Sequence, residues 1–132
     1  MARLLFDRKV RLLCALSWGA AWVVVAALLL MPLNVQAPPG SDLVAHFVLF
    51  GSMAFAAVGF SHRPGQLAWL ALATIALGVG LEYAQGFVPT RYSEAADAMA
   101  NGVGALFGYA IALLVLYFVI RPADPRLRAV AP

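Results

Sequence analysis

The sequence predicts an all-α fold: a polytopic membrane protein built as a four-transmembrane-helix bundle. Three observations lead there. Of 132 residues, 64% are hydrophobic and only 11% are charged, whereas a soluble domain carries about 25% charged residues. Four apolar segments reach the ~17–25 residues that a helix needs to cross a bilayer. Helix-breaking prolines fall between these segments rather than inside them.

The first segment, about 10–31, is free of charge after Arg11. The second, about 42–60, is interrupted only by His46, and the third, about 65–87, only by Glu82. The fourth, about 93–120, carries Asp97 and Asn101 in its first turns. Pro32, Pro38, Pro39, Pro64 and Pro89 mark the connections. The chain is thus read as one membrane domain spanning residues 1–132, with no room for a separate soluble domain. A signal peptide ending at Ala37 is a weaker reading of the first segment, because its apolar run exceeds the ~7–15 residues of an h-region.

Charge sets the expected orientation. Eight of the nine basic residues (Arg3, Arg8, Lys9, Arg11, Arg63, Arg121, Arg126 and Arg128) lie at the two termini and in the second connection, and only Arg91 lies on the other side. The positive-inside rule then puts both termini in the cytoplasm of a bacterial inner membrane, and the loops around Pro38 and Arg91 outside. The formal charge of +3 is dispersed, which argues against a nucleic-acid partner. The single cysteine, Cys14, cannot form an intrachain disulfide and reads as a small apolar filler.

The polar residues inside the apolar segments share one level. Asp42 and His46 are four apart on one face of the second helix, and Glu82 and Gln85 are three apart on the third. Asp97, Asn101, Gly104 and Gly108 follow one stripe down the fourth. At 1.5 Å per residue, His46, Glu82 and Asn101 each fall roughly 6–10 Å below the outer surface. A carboxylate facing lipid costs about 2.5–3.5 kcal/mol at a helix centre, so Glu82 and Asp97 are expected to face the bundle interior. The small-xxx-small spacing of Gly104 and Gly108 allows a neighbouring helix to approach closely. Ser41 and Ser93 are the expected N-caps of the second and fourth helices. Trp18, Trp22 and Trp69 are expected to pack or face lipid, and Tyr83 and Tyr92 suit the interface belt.

These residue types suit several chemistries. His46, Glu82 and Asp97 are the candidate reactive groups, a histidine beside two carboxylates being fit for acid–base work. Asp42, Gln85, Arg91 and Asn101 are the candidate ligand-binding groups, Arg91 as a fork for phosphate or carboxylate and Asn101 as a hydrogen-bonder between helices. No cofactor is expected. The alternative is a divalent cation on Asp42, His46, Glu82 and Asp97, since imidazole with carboxylates suits zinc or manganese. The plain alternative to any chemistry is a polar network that fixes helix register.

At these residues the sequence resembles the VanZ-like family of small bacterial membrane proteins. The stretch "SDLVAHFVLFG" is similar to that family's Asp-Lys-x-x-His-Phe entry into a helix, matching at Asp42, His46 and Phe47. The stretch "GVGLEYAQGFVPTRYSEAADAMANGVGALFG" matches its Glu-x-x-Gln, aromatic, Pro, Arg, Asp and Asn-x-x-Gly positions at Glu82, Gln85, Phe87, Pro89, Arg91, Asp97, Asn101 and Gly104. Leu43 stands where the family often has lysine, and Phe50 where it often has tyrosine. The founding member is associated with resistance to the glycopeptide teicoplanin, which acts on cell-wall precursors. The resemblance therefore implies an envelope role, with membrane lipid and a lipid-linked or cell-envelope glycan precursor as expected partners. Whether the chain is an enzyme stays open. A non-enzymatic scaffold and a small proton-coupled carrier are the competing functions, the carrier being weaker because the polar residues lie at one depth instead of forming a path.

Overall fold

The structure is a computed structural model; it describes residues 7–32, 40–89, 91 and 93–123. All of its regular elements among these residues are helical. Helix α1 spans Arg8–Leu30, α2 spans Ser41–Ala56, α3 spans Pro64–Gln85 and α4 spans Ala95–Val115. A 3₁₀ turn, Ala57–Gly59, extends α2, while a π-helical turn, Leu116–Ile120, and a last turn, Arg121–Ala123, extend α4. With these extensions, all four helices are long and apolar enough to cross a membrane. The expected segments and the observed helices agree to within a few residues at each end. The suggested cleavage point at Ala37, the loop at Pro38 and Pro39, and Tyr92 lie outside the described residues.

Local chemistry explains most of the helix ends. The Asp7 carboxylate accepts from the Lys9 N–H at 2.7 Å and caps α1. Pro64 occupies the first position of α3, where its missing N–H costs nothing. The expected caps of α2 and α4 are each off by one. Gly40, with φ of 79°, precedes α2 and makes Ser41 its first helical residue. That left-handed turn favours glycine, which has no Cβ to clash. Glu94 rather than Ser93 precedes α4.

Helices α2 and α4 form the most extensive contact in the bundle. Glycine makes it possible: a Cβ added at Gly104 would fall on the Phe47 carbonyl, and one added at Gly108 on the Gly51 carbonyl. Backbone thus meets backbone, as small-xxx-small spacing allows. Gly78 of α3 gives way to Phe50 of α2 and to Asn101 of α4. Phe50, packed with Trp22, Val25 and Met53, closes the core beside α1. A second apolar cluster, including Ala57, Val58, Leu67, Ala112, Leu116 and Ile120, closes the opposite end.

Helix α1 lies at the edge of the bundle, with only Trp22 and Val25 buried. Polar ties hold it in place. Arg11 donates from Nε and Nη2 to the Phe60 carbonyl at 3.0 and 2.8 Å, and Trp18 Nε1 donates to the Met53 carbonyl at 2.8 Å. Outward faces are apolar: Trp69 is 74% exposed and Phe118 is 76% exposed. Large exposed side chains of this kind are what a lipid solvent requires, and Tyr83, 70% exposed, faces outward with them.

Candidate functional site

The site forms where α2 and α4 begin and α3 ends. His46 sits in the second turn of α2, Glu82 in the last turn of α3 and Asp97 in the first turn of α4. One donor atom from each of the three lies within 4.8 Å of the others. His46 and Glu82 are buried, and Asp97 is half-buried. Asn101 is buried one helical turn below Asp97.

Glu82 organises the entrance to α4. Its Oε1 accepts from the Glu94 backbone N–H at 2.7 Å. In a capping box the third helical residue, here Asp97, would reach back to that N–H. Glu82 takes it from the neighbouring helix instead, and Asp97 faces His46, with its Oδ2 at 4.0 Å from His46 Nε2. The other Glu82 oxygen, Oε2, is buried with no hydrogen-bond partner among the described residues. The start of a helix carries partial positive charge, which favours both carboxylates at this position.

Asn101 orients the imidazole. Asn101 Nδ2 donates to the Gly78 carbonyl at 3.4 Å, and Asn101 Oδ1 stands 2.8 Å from His46 Nδ1. An amide oxygen only accepts, so His46 Nδ1 carries the proton in this bond. Nε2 is then the nitrogen that faces the acids. Phe50 lies parallel to the ring, with centroids 6.3 Å apart, and holds it from the side.

The remaining candidates are placed elsewhere. Asp42 is exposed, one turn above His46 on the same helix, and is not among the three converging residues. Gln85 is buried, but its Nε2 donates to the Leu29 carbonyl at 2.9 Å. Arg91 donates from Nε to the Met31 carbonyl at 3.3 Å and from Nη2 to the Leu28 carbonyl at 3.4 Å. Both side chains therefore serve the end of α1, whose last carbonyls have no partner within the helix. Successive tight turns bring Arg91 there: Phe87 N donates to Ala84 O, Val88 N to Gln85 O and Arg91 N to Val88 O. The part that sequence reasoning missed is the Glu94 backbone N–H, since no side-chain pattern announces which carboxylate will take it.

The arrangement offers one imidazole nitrogen and two carboxylates in a buried space beside two helix N-termini. It suits proton exchange, an electropositive ligand group or a cation. No curated protein and no solved structure matches the chain. The model of the VanZ/LLP1 family matches residues 43–117, more than half of the sequence. The matched stretch runs from the first turn of α2 into the π-helical turn of α4 and includes His46, Glu82, Asp97 and Asn101. With its four membrane-length helices, this chain belongs to the VanZ/LLP1 family of membrane proteins.

Proposed function

We propose that the protein lies in a bacterial inner membrane with both termini in the cytoplasm, and that the cluster binds or modifies the polar part of a lipid-linked or cell-envelope glycan precursor at the outer leaflet. The observation that carries this reading is the convergence of His46, Glu82 and Asp97 from three helices into one buried group. Ionisable residues at membrane depth are costly, and they commonly mark a substrate or ion site. The eight-to-one distribution of basic residues supports the orientation. His46, Glu82 and Asp97 are the reactive or binding groups in this reading, and Asn101 positions His46.

A second reading is favoured by a specific observation for two residues. Gln85 and Arg91 are bonded to carbonyls of α1, which suits bundle assembly better than ligand binding. If the whole cluster were of this kind, the protein would be a scaffold.

Native mass spectrometry of the protein in lipid nanodiscs tests the proposal. The parent should carry a copurifying lipid-linked species that the double variant Glu82→Gln/Asp97→Asn loses while its melting temperature is kept. A species retained equally by the double variant, or loss of folding in step with loss of ligand, would favour the scaffold.

A further inference from the structure

We propose that the cluster holds a divalent cation of the zinc or manganese class, with His46, Glu82 and Asp97 as its three protein ligands. This deepens the reading of the cluster as a binding site and rests on it. Distance gives the first support. The 4.0 Å between His46 Nε2 and Asp97 Oδ2 is too long for a hydrogen bond. It suits two ligands on either side of a shared centre, because zinc–nitrogen and zinc–oxygen bonds of about 2.0–2.2 Å place two ligands about 3–4 Å apart. Donor atoms within 4.8 Å of one another need only side-chain adjustment to close on such an ion.

The second support is an independent one. Glu82 is only 3% exposed, and its Oε2 has no hydrogen-bond partner among the described residues. A buried carboxylate oxygen left without a partner is costly. Its other oxygen is already fixed by the Glu94 N–H, so the carboxylate is held with one oxygen to spare.

The third support is the orientation of His46. Metal-bound histidines commonly donate their second ring N–H to a carbonyl or carboxylate, which fixes the ring and the tautomer. Here the acceptor is Asn101 Oδ1, itself fixed by the Nδ2 bond to Gly78. The Nε2 lone pair is thereby turned towards the acids. Charge agrees: the Arg91 guanidinium is committed to carbonyls of α1, so a dication would be the group to balance the two carboxylates. The donor set contains no thiolate, which disfavours the softer metals. Three protein ligands also leave a position for an oxygen of an incoming ligand, a phosphate or hydroxyl.

The test uses the full chain in nanodiscs, stripped with a chelator and reloaded separately with zinc, manganese or cobalt chloride. Elemental analysis should find about one zinc or manganese per chain in the parent. Asp7→Asn, at an exposed acid at the start of α1 and outside the three, should bind equally. Glu82→Gln and His46→Ala should lose the ion, and Asn101→Ala should weaken it about 10–100-fold. Melting and size-exclusion profiles report whether each variant is folded. Should the variants fail to fold, the visible absorption of cobalt in the parent decides: ligand-field bands of a histidine–carboxylate site support the proposal, and the spectrum of aqueous cobalt overturns it. A folded parent that retains no ion, or one whose binding is unaltered in folded Glu82→Gln, also overturns it. A lipid-linked species without metal would remove the cation and leave the binding site standing. Metal without any such species would keep the cation site and remove the lipid-linked ligand.

Discussion

Replacing Gly104 by alanine tests whether the backbone contact between α2 and α4 holds the site together. The added Cβ would land on the Phe47 carbonyl, an obstacle that cannot swing aside as a side chain would. Gly51 gives a graded comparison, because its added Cβ would stand 3.0 Å from the Gly104 carbonyl, about 0.4 Å inside ordinary contact. Gly102 is the control, with nothing within 4 Å of its added Cβ. Overpacking costs about 1–3 kcal/mol, and the upper end applies where the overlap with backbone is deep, as at Gly104 and not at Gly51. Removing a helical glycine returns about 0.5–1 kcal/mol. The net expectation is a loss of about 2 kcal/mol for Gly104→Ala, near zero for Gly51→Ala, and a gain of up to about 1 kcal/mol for Gly102→Ala. Unfolding in mixed micelles, titrated with a denaturing detergent, measures all three. Gly104→Ala as stable as Gly102→Ala would refute the argument, and so would Gly51→Ala falling below Gly104→Ala.

Other expectations follow from the polar ties. Gln85→Ala should cost about 1–2 kcal/mol, and Arg91→Ala should cost less, because the Arg91 bonds are longer and more exposed; thermal melts rank them. Asn101→Leu should cost about 1–3 kcal/mol by removing the partner of His46 Nδ1 and a donor to the Gly78 carbonyl. Asn101→Asp keeps an acceptor for His46 but buries a third carboxylate beside Glu82 and Asp97 and turns an oxygen towards that carbonyl, so it should cost at least as much in the same melt. In a Cys14→Ser background, a cysteine placed by Arg63→Cys should be labelled from the cytoplasmic side and one placed by Ser93→Cys from the opposite side. The reverse pattern of labelling would invert the proposed orientation.

The four helices were legible because lipid demands long apolar runs, and length alone separates them from loops. Glu82, His46, Asp97 and Asn101 were also legible as a group. Counting turns from the same end of the membrane puts them at one level, and burial cost turns them inward. Direction within that level was not legible. Gln85 lies three residues from Glu82, yet one side chain meets α1 and the other meets the start of α4. That division depends on which helix packs on which side, and hydropathy does not encode it. The caps went astray for a related reason. Serine at each helix start is a sound local preference, but Gly40 supplies a left-handed turn before α2, and Glu82, from another helix, satisfies the N–H at the start of α4. The π-helical turn at Leu116–Ile120 has no such signature, since its residues read as one more apolar stretch.

The glycine seam between α2 and α4 also constrains motion. Carbonyls of Phe47 and Gly51 seated in the notches at Gly104 and Gly108 act as teeth in a rack. Sliding one helix along the other would drive backbone against side chains within a fraction of a turn, and close-packed interfaces resist such displacement. His46 and Asp97 ride on opposite sides of this locked pair, so their spacing is a rigid feature of the protein. Glu82 belongs to α3, which meets this pair through side chains, Phe50 and Asn101 against Gly78, rather than backbone on backbone. A displacement of α3 would therefore strain the bond by which Glu82 holds the N–H at the start of α4 and so would be felt at the entrance of that helix.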